Sequence, residues 1–442
     1  MYPDPQSRSA ALLERAKRSM PGGNSRLTVW HAPYPLYFTH GQGCRVTDAD
    51  GVERLDCVNN MTALLHGHGH PEVIEAVRRQ CTRIMGCSGP TESEIRLAEI
   101  LCERVPSVEQ VRFGSSGTEA ILFALRLARA HTGRQKIARV EGAYHGSTDA
   151  METSQVVRPE DWGADDDPIT LIDSIGIPKS VAGDIVTLPN NDAAAARRIL
   201  ERHAADLAGV VIDPFTPRLG FCQSSPQFLT TVRDFCTRNR SVLIYDEVMS
   251  FRTAFGGAQS RVEVLPDVTA FGKVIGGGLP CGGIGGRREF MQVFDQLKSS
   301  PAVNHSGTNN ANALVMAAGL ATLEAAPAAI YQHLDRLGER LRAGFQEVLK
   351  ITGVPGWVRG VGSLNFFAIG DDHMPSSFRE MSRMKTDREA HGKLHRHLIN
   401  HGVISIDSHG FVLSSPMRES DIDFVIEQVL DGVRALRGSA CQ

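Results

Sequence analysis

The chain has 442 residues, 42% hydrophobic and 22% charged, with a formal net charge of −3; it can hold two domains, and its balance gives no footprint for nucleic acid or an anionic membrane. Its nine cysteines include no C-x-x-C pair, which supports neither a zinc site nor a disulfide framework and fits a cytoplasmic location. No apolar run approaches transmembrane length, and MYPDPQSRSAALLERAKRSM at the start lacks a signal-peptide core.

Residues 1–20 read as an amphipathic helix leading into the PGGNSR loop (21–26), and 36–58 as a strand hairpin around DADG. His66, His68 and His70 alternate along HGHGH, but a metal set needs a second cluster, so they are expected to be structural. From about 70 to 325, strand-like runs (VRF, KIARV, GVVIDPF, SVLIYDEV, DVTAF) alternate with helical stretches. That is the pattern of an α/β domain with a mostly parallel sheet.

Within it, 111–133 reads as strand, tight turn and helix, with Ile121, Leu122, Leu125, Leu127 and Ala128 on an apolar face and Gly133 as the stop. Ser116-Gly117-Thr118 opens that helix; a simple cap and a phosphate cradle both suit its free N–H groups and hydroxyls. The Asp-, Pro- and Gly-rich stretch 150–185 is expected to be irregular, a candidate rim for a site. SVLIYDEV carries Asp246 at its end, where ligands collect in an open α/β sheet. A buried carboxylate there needs a cationic or hydrogen-bonding partner; a helix N-cap is the alternative.

FGKVIGGGLPCGGIGG (271–286) follows, with Lys273 at the mouth of a glycine run too dense for a helix or an uninterrupted strand. Glycine lets main chain approach a ligand closely, and a desolvated lysine suits Schiff-base chemistry; a solvated loop lysine is the alternative. Cys281 is expected to pack. Beyond about 328 come a long helix (IYQHLDRLGERLRAGFQEVL), SLNFFAIG, a helix near 387–401 and a closing helix near 420–436. The expected division is 1–65 with 328–442 as a smaller α+β domain, and 66–327 as the large domain.

Phosphate cradle, strand-end aspartate and Schiff-base lysine, in that order, resemble the class III aminotransferases, enzymes of pyridoxal 5′-phosphate (PLP) with fold type I. The branch that holds glutamate-1-semialdehyde aminomutases and β-amino-acid aminotransferases is the most similar. The matches run nearly end to end: PGGNSR, TDADG (47–51), GHGHP (67–71), SSGTEA (115–120), YHG (144–146), DEVM (246–249), the lysine segment, HSGTNNANALVMAAG (305–319) and ESDID (419–423). The resemblance implies that Lys273 forms the Schiff base with PLP and then shuttles the proton. It implies that Asp246 faces the pyridine nitrogen, Tyr144 stacks on one ring face and Val248 lies against the other. Ser116, Gly117 and Thr118 would bind the phosphate, with His145 among the cofactor-binding residues. Thr308 would reach the phosphate of a neighbouring subunit, which implies a homodimer with shared sites.

For substrate binding, Arg26 lies where the β-amino-acid branch carries an arginine for the substrate carboxylate; a surface arginine tied to a local acid is the alternative. Trp30 and Tyr34 could wall a side-chain pocket or belong to the core. Two departures from the family stand out. Asp213 replaces a glutamate that can gate an arginine between two substrates, and Ser408 and His409 stand where relatives carry glutamate or arginine. The expected activity is amino transfer between an amino acid or amine and an oxo acid by ping-pong chemistry. An aminomutase, a racemase and a catalytically silent homologue are the alternatives; the intact Lys273, Asp246, Tyr144 and phosphate turn argue against the last.

Overall fold

The five apolar runs that read as strands belong to one seven-stranded sheet. The computed structural model describes residues 1–156, 159–297, 301–384 and 387–438. The chain divides into two compact units: Met1–Pro71, His333–Met374 and Lys385–Gln442 form one, Glu72–Gln332 and Pro375–Met384 the other.

In the second unit the strands are β1 (Gln110–Gly114), β2 (Lys136–Val140), β3 (Ile185–Leu188), β4 (Leu207–Ile212), β5 (Val242–Asp246), β6 (Val268–Gly272) and β7 (Gly282–Gly286). Their spatial order is β1-β7-β6-β5-β4-β2-β3, parallel throughout except for β7. Successive strand residues point to opposite faces, and β5 shows how both are covered. Val242 and Ile244 pack with Ala120, Ile121 and Ala124 of α1 (Gly117–Thr132). Leu243 and Tyr245 pack on the other side with Phe228 and Val232 of the helix Pro226–Asn239. A sheet buried on both faces explains why these strands are continuously apolar.

The glycine run corrects the sequence expectation. Lys273–Gly276 is a short 3₁₀ turn, but Gly282–Gly286 is an unbroken strand, antiparallel to both neighbours. A Cβ on Gly282 would lie 1.9 Å from the carbonyl oxygen of Ser116, and one on Gly286 2.7 Å from that of Asp267. Neighbouring main chain occupies the space that side chains would need, and ladder bonds on both edges offset glycine's poor strand propensity.

The first unit holds a four-stranded sheet (Phe38–Gln42, Arg45–Asp48, Glu53–Asp56, Val403–Ile404) and a three-stranded one (Gly356–Val361, Leu364–Ile369, Gly410–Val412). Helices Arg8–Ala16, Arg388–Asn400 and Glu419–Gly438 belong to it as well. Tyr34 is core: its ring meets Tyr2 edge-on at 5.1 Å and its hydroxyl donates to the Asp4 carbonyl at 2.7 Å. Trp30 is 40% exposed.

Pro375–Met384 departs from the expected division, which gave all of 328–442 to the smaller domain; it joins the second unit. Arg379, 4% exposed, makes a bidentate pair with Glu141 at 2.8 and 3.0 Å, and its guanidinium lies 4.8 Å from the Trp162 ring centroid. The Phe378 ring fills the space beside Gly142, whose φ of +77° also suits glycine. Among the described residues, no single helix is long and apolar enough to cross a membrane.

Candidate active site

The carboxyl ends of four parallel strands carry the expected groups. β1 leads into Ser115–Thr118, β4 into Asp213, β5 ends at Asp246, and β6 runs into Lys273. Ligands gather at this edge of an open α/β sheet.

Asp246 is 4% exposed, and both of its oxygens are engaged. Oδ1 accepts from the Val248 N–H at 3.0 Å, and Oδ2 meets His145 Nδ1 at 2.8 Å. Burial pulls the His145 imidazole below its ordinary pKa, opposed by the Asp246 carboxylate. A mostly neutral imidazole can donate from Nδ1 to the Asp246 side chain.

Behind Asp246 lies Asp213, 5% exposed, whose Oδ1 accepts from the Phe215 N–H at 2.9 Å and the Ser250 hydroxyl at 3.0 Å. Burial, and then the Asp246 charge, push its carboxyl well above the usual range. Both of these hydrogen bonds tie Asp213 to the chain's own Phe215 and Ser250. Glu247, raised to about 7 by burial, is likewise a clamp, accepting from Ala258 N–H at 2.6 Å and Gln259 Nε2 at 2.8 Å.

Lys273 has a φ of +50°, a left-handed conformation that costs a non-glycine residue energy and collects at functional sites. Ser116 is the N-cap of α1, its hydroxyl accepting from Glu119 N–H at 3.2 Å. The first N–H groups of a helix have no partner inside it, so cap and anion cradle coexist here. Glycines bring this turn against its neighbours: a Cβ on Gly117 would lie 2.8 Å from Val248, and one on Gly146 2.7 Å from Thr118 Oγ1. Tyr144 is 47% exposed, and Thr308 is exposed.

Arg26 belongs to the first unit, where Nη1 donates to Asn60 Oδ1 at 2.9 Å. Its recorded partner is an amide, not the local acid of the alternative reading. His68 pairs with Asp56 at 2.7 Å, and His66 with Ser415 at 2.8 Å. Ser408 is buried against His391, and the His409 ring stacks on His391 at 3.6 Å.

Comparison with known proteins matches residues 27–412 to the profile of aminotransferase class-III. The chain belongs to the class-III aminotransferases. Among curated relatives, glutamate-1-semialdehyde 2,1-aminomutase 2 of Halalkalibacterium halodurans is 36% identical over 97% of this chain and 99% of its own. Among solved structures, an omega-transaminase from Sphaerobacter thermophilus is 43% identical with a TM-score of 0.95, covering 99% of each chain. A transaminase with PLP bound is 38% identical with a TM-score of 0.90, covering 98% of this chain and 99% of that one. The chain is therefore a PLP-dependent aminotransferase of fold type I.

The residues present fit that cofactor. His145 Nε2 is buried with no hydrogen-bond partner among the described residues. The contacts of Gly117 with Val248, Gly146 with Thr118 and Gly282 with the Ser116 main chain pack the turn at the α1 terminus tightly in place, and a helix N-terminus is the kind of surface that receives a phosphate. Sequence reasoning missed Arg379 and Glu141, which brace the segment leading to Tyr144 and His145; they lie 238 positions apart, beyond any local pattern. It also missed Arg218, whose Nη1 donates to the Gln155 carbonyl at 3.2 Å and which lies within electrostatic range of Tyr144. Its place on the turn after β4 was the available signal.

Proposed function

We propose that this enzyme takes its amino group from donors whose amine is not α to a carboxylate, among them β-amino acids and simple amines, and passes it to an oxo acid. The support is the 43% identity to an omega-transaminase across both chains, above the 36% to an aminomutase. Bound PLP supplies the electron sink that lets a substrate C–H bond ionise.

This chain's residues do the rest. Lys273 Nζ would hold the cofactor covalently between turnovers and, once released, would take the proton from the amino-bearing carbon of the substrate and deliver it to the cofactor's carbonyl-derived carbon, on the other side of the shared nitrogen. The Asp246 carboxylate holds the ring-nitrogen proton in place, and His145 orients that carboxylate. The N–H groups and hydroxyls of Ser116, Gly117 and Thr118 hold the phosphate. Tyr144 and Val248 cover the two ring faces. Arg26 pairs with the carboxylate of an acid donor or acceptor. Asp213 supports Asp246 from behind.

The enzyme acts as a cytoplasmic homodimer in which exposed Thr308 reaches the phosphate of the partner subunit. The observation that carries the donor class is the 43% identity to an omega-transaminase, and the one that carries the cofactor roles is the buried Asp246–His145 pair at the same sheet edge as left-handed Lys273.

The test is titration of PLP-loaded enzyme with single donors and no acceptor, across α-amino acids, β-amino acids and amines. Conversion of the visible cofactor band to the near-ultraviolet band, with release of the matching carbonyl compound, is expected for β-amino acids or amines. Conversion by α-amino acids alone refutes the donor class. Lys273→Ala abolishes conversion with every donor; retained turnover in that variant refutes the assignment of Lys273.

A further inference from the structure

Four consecutive non-glycine residues, Asn59, Asn60, Met61 and Thr62, have φ values of +50°, +49°, +51° and +77°. An L-residue in that conformation crowds its Cβ against the next carbonyl, and asparagine tolerates it best after glycine, normally one residue at a time. A run of four persists only where the surroundings over-determine it, and such strain collects at ligand clamps.

The two ends of the run are its anchors. Asn59 and Thr62 are both 0% exposed. Asn59 Nδ2 donates to the carbonyls of Asp56 at 3.0 Å and Val412 at 2.9 Å. Asp56 Oδ1 accepts from the N–H groups of Asn59 at 3.0 Å and Val58 at 2.8 Å. Asp56 Oδ2 in turn meets His68 Nε2 at 2.7 Å. Between the anchors, Asn60 is exposed and Met61 half-buried. The fold therefore spends its strain on presenting two side chains.

One of the two has a visible task. Asn60 Oδ1 accepts from Arg26 Nη1 at 2.9 Å, while the Arg26 backbone N–H is tied to Asn24 Oδ1 at 2.8 Å. We propose that Asn60 is the positioning residue for Arg26: the left-handed turn holds its amide oxygen so that one corner of the guanidinium is fixed before substrate arrives. The inference rests on the reading of Arg26 as the carboxylate partner. A neutral acceptor suits the task. It engages one of the five N–H groups without neutralising the charge, and it leaves the others for a bidentate carboxylate. Fixing a long side chain in advance also lowers the ordering entropy that binding would otherwise incur.

Asn60→Gly and Asn60→Asp both tolerate left-handed geometry, so they separate the turn from the contact. They are compared with Arg26→Ala on 3-amino-3-phenylpropanoate and 1-phenylethylamine, with calorimetric binding of 3-phenylpropanoate as a readout independent of turnover. Asn60→Gly is expected to raise KM for the carboxylate donor about tenfold or more, the loss of one hydrogen bond to a charged group, with kcat nearly unchanged. Asn60→Asp raises it further, because a fixed anion competes for the guanidinium. KM for the amine stays put in both, and binding of the carboxylate weakens in parallel. Wild-type KM for the carboxylate donor in both Asn60 variants, with a raised KM in Arg26→Ala, overturns the role of Asn60. No effect in Arg26→Ala overturns the reading of Arg26 itself, and this inference with it.

Discussion

Asp246→Asn separates charge from shape at the centre of the site. The side chain is 4% exposed and holds the Val248 N–H at 3.0 Å and His145 Nδ1 at 2.8 Å. Asparagine keeps its Oδ1 for Val248, and its Nδ2 can donate to His145 once the imidazole changes tautomer. The hydrogen-bond cost to the fold is therefore about 1 kcal/mol. What disappears is the charge that holds the ring-nitrogen proton. Removing one member of a buried charged pair costs about 3–5 kcal/mol, and every 1.4 kcal/mol is tenfold. Amino transfer should fall roughly a hundred- to several-thousand-fold. The assay is a single-turnover half-reaction at saturating PLP, with cofactor retention and the melting temperature measured on the same sample. A fully loaded, normally melting Asp246→Asn enzyme within about threefold of wild type, far short of that loss, refutes the assignment.

Gly282→Ala should lose PLP under conditions that saturate the wild type, because its Cβ would sit 1.9 Å from the Ser116 carbonyl oxygen and displace the phosphate turn; equilibrium dialysis that finds normal affinity contradicts the cradle. Arg379→Met strands the Glu141 carboxylate, 1% exposed, at a stability cost of about 3–5 kcal/mol. Adding Glu141→Gln should restore much of the melting temperature, and a double variant no more stable than the single one counts against the pair. Burial holds His31 and His395 at about 4 and His391 at about 3. Above their unfolded value near 6.5 they are neutral in both states, and below it the unfolded chain binds protons first. Stability is therefore full above pH 6.5 and falls as pH drops towards 4; melting temperatures that stay flat across that window count against three neutral imidazoles.

Local chemistry was legible in the chain. Apolar runs of strand length, the Ser-Gly-Thr turn at a helix start, the acid closing SVLIYDEV and the lysine after DVTAF each depend on residues adjacent in sequence, so periodicity and composition expose them. The sequence by itself therefore determined the α/β class and five strands of the large sheet, and it offered the Ser-Gly-Thr turn, Asp246 and Lys273 as the candidate cofactor residues.

Tertiary structure decided what those pieces face. GGIGG became a strand only because main chain on both sides fills the space where side chains would stand. Asp213 reads from sequence as a shortened form of the family's glutamate, and the fold buries it against the Phe215 N–H and the Ser250 hydroxyl. Arg379 braces the segment leading to Tyr144 from 238 positions beyond Glu141. The left-handed run at 59–62 contains no glycine to announce it, and it exists because Asp56, Val412 and Val58 grip it from outside. Propensity acts between neighbours along the chain, whereas desolvation, charge coupling and imposed strain depend on which distant segments the fold brings into contact.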